Sequence, residues 1–162
     1  MGKIFACLSF IVRYRHDLSA IAVEILQGYS SMQIFTPPAG FHERRADGGF
    51  HQLIGPFYVK GNGSDCCYGF YVDERHTNPA DVVHGGLLMT LMDMVLTTTV
   101  IQATESKNHV STISMNCDFL APVLANRWVD GSGDVVRRTK SLAFVRGRLQ
   151  VAGRDAVTAT GV

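Results

Sequence analysis

The spacing of apolar and polar positions changes several times along the chain, and each change marks an element. In residues 13–30, Leu18, Ile21, Ala22, Ile25 and Leu26 recur at helical spacing, and the run stops near Gly28. Thr36-Pro37-Pro38-Ala39-Gly40 then reads as a linker. Residues 41–52 carry mixed charge and two glycines, which predicts a loop or a short helix. From residue 53 the pattern sharpens. Phe57–Lys60 is a short strand, Gly61-Asn62-Gly63 suits a hairpin turn, and the aromatic-rich Cys66–Val72 is the returning strand. His76-Thr77-Asn78-Pro79 breaks it, and Val83–Ala103 is one long apolar helix. Beyond Lys107-Asn108, strand chemistry resumes in Val110–Leu120, which ends at Pro122. Trp128–Thr139 follows, interrupted by Gly131 and Gly133, then Leu142–Val151 and Ala156–Thr160.

The order is therefore strand, strand, long helix, then four strands with short links. Strands joined by short links run antiparallel, because a parallel pair needs a long crossover. A helix this apolar must be covered on most sides, and a curved sheet wrapped around it does so economically. The expected class is α+β, a curved antiparallel sheet around one long central helix. Residues 1–52 are expected to be an N-terminal extension, partly helical or poorly ordered, and residues 53–162 the folded domain.

Composition narrows the function classes. With 162 residues, 46% hydrophobic and 18% charged, the chain suits one globular domain. Net charge is +1, with Lys and Arg scattered except at Arg137, Arg138 and Lys140. That lacks the basic stripe a nucleic-acid groove requires, so no nucleic-acid partner is expected. Cys7, Cys66, Cys67 and Cys117 fit neither a zinc knuckle nor a disulfide framework, and reduced thiols point to a cytoplasmic compartment. His76 and His84 lie eight apart across a turn-rich stretch, so no metal site is expected. Ile4–Val12 is short and runs straight into Arg13, Arg15, His16 and Asp17. An organelle presequence and a true start at Met32 stay open beside the reading as a poorly packed extension. Leu87–Ala103 approaches membrane-spanning length, but Asp93 in its middle would cost about 3 kcal/mol on insertion scales. It reads as a helix buried in protein, with no membrane partner.

Three features carry candidate chemistry. Asp93 is a carboxylate in a helix apolar on nearly every side, and burying such a group demands a partner or a purpose. The competing reading places it on a narrow solvent stripe with Thr90 and Thr97, at three- and four-residue spacing. His84-Gly85-Gly86 begins that helix, where free N–H donors and the positive dipole end would stabilise an oxyanion. The competing reading is ordinary helix-entry chemistry. Asn78 precedes Pro79, so its backbone is extended and its amide is free to donate and accept, or else it simply forms the turn.

Taken together, His76-Thr77-Asn78-Pro79, His84-Gly85-Gly86 and Asp93 resemble the signature of hotdog-fold thioesterases of the phenylacetate-degradation type, in the wider superfamily of the 4-hydroxybenzoyl-CoA thioesterases. In that pattern an Asn lies six residues before the His of a His-Gly-Gly turn and fifteen before an acidic residue, and Asn78, His84 and Asp93 meet both spacings. Asp118-Phe119-Leu120-Ala121-Pro122 and Lys140-Ser141-Leu142-Ala143-Phe144 continue the similarity, which covers roughly residues 57 to 162. The resemblance implies acyl-CoA hydrolysis with no separate cofactor, coenzyme A being part of the substrate. It makes Asp93 the nucleophile or the general base, and the Gly85 amide the polariser of the thioester carbonyl. His84 shapes the turn, Gly86 and Ser111 bind substrate, and Asn78 orients the carbonyl or the water. A hydroxyl residue assists at the start of the following strand. Counting back from Pro122 gives Thr112; counting forward from Asp93 gives Ser111.

Geometry adds that Asp93, eight residues beyond Gly85, is about 12 Å away along a helix, too far for one thioester to touch both. The resemblance implies that the helix turn of one subunit faces the carboxylate of its partner, so a homodimer or a dimer of dimers is expected. Arg137, Arg138 and Lys140 are candidates for the CoA phosphates, against plain solvated charge on a hairpin end. The rival readings are a hotdog enoyl-CoA hydratase or dehydratase using His84, and a non-catalytic acyl-CoA-binding module.

Overall fold

Strand-forming sequence from residue 42 onward builds a single seven-stranded antiparallel sheet, ordered His42–Arg44, Phe57–Lys60, Cys67–Val72, Arg127–Arg138, Ala143–Val151, Arg154–Gly161, Met115–Phe119. The structure, a computed structural model, describes residues 35–45, 48–104 and 110–162. The helical spacing in residues 13–30 and Ile4–Val12 lie outside the described residues. The chain divides into two units, of which the second, Pro37–Val162, is compact and contains the sheet. The elements of this second unit are β1 (His42–Arg44), α1 (Gly49–Ile54), β2 (Phe57–Lys60), β3 (Cys67–Val72), α2 (Gly85–Thr104), β4 (Met115–Phe119), β5 (Arg127–Arg138), β6 (Ala143–Val151) and β7 (Arg154–Gly161). One-turn 3₁₀ segments, Gly63–Asp65 and Glu74–His76, flank β3.

The second unit begins well before residue 53, the expected start of the domain. Residues 42–44 belong to the sheet: β1 pairs with β2, His42 opposite Val59 and Arg44 opposite Phe57. The Phe41 ring packs edge-on to Trp128 with centroids 5.0 Å apart. The three residues of β1 are all exposed and polar, which is why no alternation announced them.

Helix α2 lies against the sheet as its apolar composition demands. Leu88, Leu91, Met92, Val95 and Leu96 are buried, meeting Phe70, Val129, Val145, Leu149 and Val157 in one core. The approach is close because small residues line the sheet beneath it. A Cβ on Gly131 would lie 2.5 Å from Val95, and one on Gly147 2.8 Å from Leu96. Gly131 and Gly133 therefore do not interrupt a strand, as their sequence suggested. They lie inside an unbroken β5, where they make room for the helix.

The strand after the helix is shorter than Val110–Leu120. Its ladder with β7 runs from Phe119 opposite Val157 to Met115 opposite Gly161. Residues 110–113 leave the ladder and lie beside α2. The β6–β7 hairpin turns through Ala152 and Gly153 at φ 50 and 76, the left-handed backbone of a tight two-residue turn. A curved antiparallel sheet with one long helix on its inner face is the hotdog arrangement.

Candidate active site

The segment leading into α2 is held by hydrogen bonds that its polar residues supply. Asp73 caps the 3₁₀ turn by accepting from the Arg75 N–H at 2.9 Å. His76 is 6% exposed. Its Nδ1 accepts from the Asp73 N–H at 2.9 Å, so Nε2 carries the proton and points at the Ile54 carbonyl, 3.2 Å away. Burial pushes the His76 pKa down, against the pull of the nearby Asp73 carboxylate. The His76 carbonyl accepts from the His84 N–H at 2.8 Å, which fixes the entrance to the helix. Neutral and fully engaged, His76 builds the turn.

Asn78 stands within that turn. Its N–H donates to the Val82 carbonyl at 2.8 Å, and its Oδ1 accepts from the Ala80 N–H at 2.9 Å. The side-chain oxygen thus does turn-forming work, and the amide NH₂ is what Asn78 has to offer a ligand. The turn-forming reading of Asn78 holds, and its side-chain oxygen is not free to accept from a ligand.

At the start of α2 the backbone donors can be accounted for one by one. The His84 carbonyl accepts from the Leu87 and Leu88 N–H groups at 2.9 and 3.2 Å. His84 Nδ1 folds back to accept from the Gly86 N–H at 2.9 Å. A Cβ on Gly86 would come within 3.0 Å of that nitrogen, so the small residue lets the ring lie there. Of the first four amides, Gly85 alone has no acceptor among the described residues. It stands at the positive end of the helix dipole. His84 is thus a capping residue that satisfies one donor and leaves its neighbour open.

Two turns along, Asp93 is half-buried. Thr112 Oγ1 donates to its Oδ1 at 2.6 Å and lies 3.5 Å from Thr97 Oγ1. The hydroxyl residue beside the carboxylate is therefore Thr112; Ser111 is exposed and lines the adjoining groove. Thr97, which the sequence offered only as part of a solvent stripe, closes the network. Cys117 on β4 is the other neighbour, its thiol pushed up by burial first, then by Asp118 and Asp93.

A groove of about 340 Å³ starts at Thr97 and Thr112 and runs along the second half of α2 to the β5–β6 hairpin. Leu96, Val100 and Val145 give it an apolar floor, and Arg138 and Lys140 lie on its rim; among the described residues no Asp or Glu lines it. Arg137, exposed like the other two, is outside it. The structure thus gathers Asp93, Thr112, Ser111, Arg138 and Lys140 at one end. Asn78, His84, Gly85 and Gly86 are gathered at the other. Among the described residues no group of three His, Cys, Asp or Glu side chains could hold a metal ion.

The profile of the thioesterase superfamily matches residues 80–157. A Pseudomonas aeruginosa protein described as a candidate esterase is 27% identical over 126 residues, 77% of this chain and 94% of its own length. Acyl-coenzyme A thioesterase 13 of Mus musculus is 30% identical over 73 residues, 45% of this chain and about half (51%) of that protein. Among solved structures, zebrafish thioesterase superfamily member 2 aligns with TM-score 0.63 at 21% identity, over 71% of this chain and 85% of that one. A phenylacetic acid degradation-related protein of thioesterase type from Ralstonia eutropha aligns with TM-score 0.56 at 25% identity, over 80% and 91%.

Proposed function

We propose that this chain is a member of the thioesterase superfamily, whose profile matches residues 80–157, and that it hydrolyses acyl-CoA thioesters at a site shared between two subunits. The observation that carries the reading is a half-buried carboxylate held by Thr112 at 2.6 Å, beside an apolar groove with cations on its rim.

In this reading the thioester oxygen of a bound acyl-CoA accepts a hydrogen bond from the open Gly85 N–H. The donor is preorganised and its helix dipole favours negative charge, so it stabilises the oxyanion more than the ground-state carbonyl. The Asn78 NH₂ orients the same carbonyl or the attacking water. Asp93 of the second subunit either attacks the carbonyl carbon or takes a proton from water that attacks it. In both cases the C–S bond breaks and CoA leaves as its thiolate, which is then protonated. Where water attacks, the acyl group departs directly as the free acid; where Asp93 attacks, water then hydrolyses the acyl-aspartyl anhydride, releasing the acid and restoring the carboxylate. Thr112, by donating to Oδ1, leaves Oδ2 to face the substrate. Arg138 and Lys140 hold phosphates of CoA at the rim, with Arg137 outside the groove as a further contact for an extended nucleotide.

The second subunit follows from distance. Eight residues of helix separate Gly85 from Asp93 by about 12 Å, so one chain cannot bring both to one carbonyl. The test is free-thiol release from a panel of acyl-CoAs, followed by complementation between subunits. Asp93→Asn and Gly85→Ala subunits, co-expressed with different tags and isolated as the mixed dimer, hold one intact site in two. They are expected to regain about half the wild-type rate. A mixed dimer as slow as its parents, or an active monomer by light scattering, would overturn the shared site. Hydration of an enoyl-CoA without thiol release would overturn the hydrolytic reading itself.

A further inference from the structure

Phe119 was placed by the sequence only as the end of a strand, yet its position beside the open amide is specific. Along β4, Met115, Cys117 and Phe119 alternate with the exposed Asn116 and Asp118, so the odd positions face the helix side of the sheet. Cys117 lies near enough to Asp93 to feel its charge. Two residues on, the Phe119 ring reaches the start of α2. Its Cε1 and Cζ both lie 3.6 Å from where a Cβ on Gly85 would be, which is ordinary van der Waals contact. At that point the ring has left the core and is 51% exposed. A large aromatic side chain left half in solvent gains little for the fold, and here it stands beside the one N–H of the helix start that has no acceptor among the described residues.

We infer that Phe119 is a substrate-positioning residue, the wall against which the thioester carbonyl is held at the Gly85 amide and which keeps water from that amide. This rests on the reading of Gly85 as the oxyanion donor. A hydrogen bond to a developing oxyanion strengthens as competing water is excluded, because the local dielectric falls. Gly85 contributes the absence of a side chain and Phe119 fills the space beside it, so a carbonyl oxygen approaching the N–H meets the ring edge on one side. The contact is with the reacting carbonyl rather than with the distal acyl chain. Its effect therefore belongs on turnover and extends to every acyl group.

The experiment is a steady-state comparison of wild type, Phe119→Ala and Phe119→Leu on acetyl-, hexanoyl- and benzoyl-CoA, with melting temperature and oligomeric mass measured on the same samples. The expected result for Phe119→Ala is a loss in kcat of about 10-fold, below the 10²–10³ of a lost oxyanion donor because the donor remains. KM should move less than about threefold, and the loss should be similar for all three substrates. Phe119→Leu, which restores bulk, should recover most of it. Unchanged kcat, a loss confined to KM or to one acyl group, or a loss that disappears at higher protein concentration would overturn the inference. The last outcome would make Phe119 a subunit contact. If instead Asp93→Asn turns over normally, the reading of the whole site fails, and that failure is distinguishable from this one.

Discussion

Replacing Gly85 with Ala should move stability and catalysis in opposite directions. The backbone at Gly85 is not in the left-handed region, and an added Cβ would find only Phe119 Cε1 and Cζ, at 3.6 Å. The native conformation therefore accepts alanine without strain. Removing the extra freedom of glycine in the unfolded chain should stabilise by about 0.4–1 kcal/mol. For a unit spanning Pro37–Val162 this is a rise in melting temperature of about 2–5 °C. The same methyl group fills the space beside the one amide of the helix start that has no acceptor among the described residues. A carbonyl oxygen must then bind farther from the N–H or off its axis. Turnover should fall about 10-fold or more, or about 1.4 kcal/mol of transition-state stabilisation. The assay pairs a thermal melt with thiol release at saturating acyl-CoA on one preparation. A destabilised protein whose folded fraction turns over normally would refute the oxyanion assignment.

Three further outcomes are expected from the same geometry. Thr112→Val keeps the shape but removes the donor at 2.6 Å from Asp93, and kcat should fall about 10-fold, the scale of a hydrogen bond to a charged group; wild-type kcat would contradict the role of Thr112. His76 has its pKa lowered by burial, so the unfolded chain takes up protons first. The stability this provides is present above about pH 6.5 and is lost as pH falls from there through the lower folded value. Denaturant midpoints across that window should drop for wild type and stay flatter for His76→Gln; equal slopes would show that His76 is not the titrating group. Gly131→Ala would set a Cβ 2.5 Å from Val95 and 3.1 Å from Leu149, and should destabilise by about 1–3 kcal/mol in a melt; unchanged stability would mean the helix has room to move away.

How far the fold could be read in the sequence depends on whether local chemistry carried the signal. β2 was legible to the residue, and α2 began two residues later than expected, because apolar runs bounded by Gly, Asn and Pro announce themselves. β1 was not, since His42-Glu43-Arg44 has no apolar alternation and exists only because β2 offers it an edge. The glycines of β5 misled because their reason is tertiary: the side chain they lack would occupy the space of Val95 and Thr99 on the helix.

The site divides in the same way. Asp93 stood out as a carboxylate among Leu, Met and Val. The spacing to Asn78 and His84 carried the resemblance, and counting back from Pro122 found Thr112. Which helix amide remains open could not be read, because it depends on the His84 ring folding onto the Gly86 N–H. Nor could the groove, whose walls come from segments as distant as Thr97, Lys140 and Gly161. Phe119 looked like a strand end, and only the crossing of β4 with the start of α2 gives it a neighbour.

If Asp93 is the group that hydrolyses the thioester, Asp93→Asn should abolish most of the activity without disturbing the fold. The substitution is nearly isosteric, and Thr112 can still donate to the amide oxygen, so melting temperature and oligomeric mass should stay close to wild type. Free-thiol release from the best acyl-CoA substrate should fall about 100-fold or more, the scale of a lost general base or nucleophile. A well-folded Asp93→Asn protein that releases CoA at the wild-type rate would contradict the account.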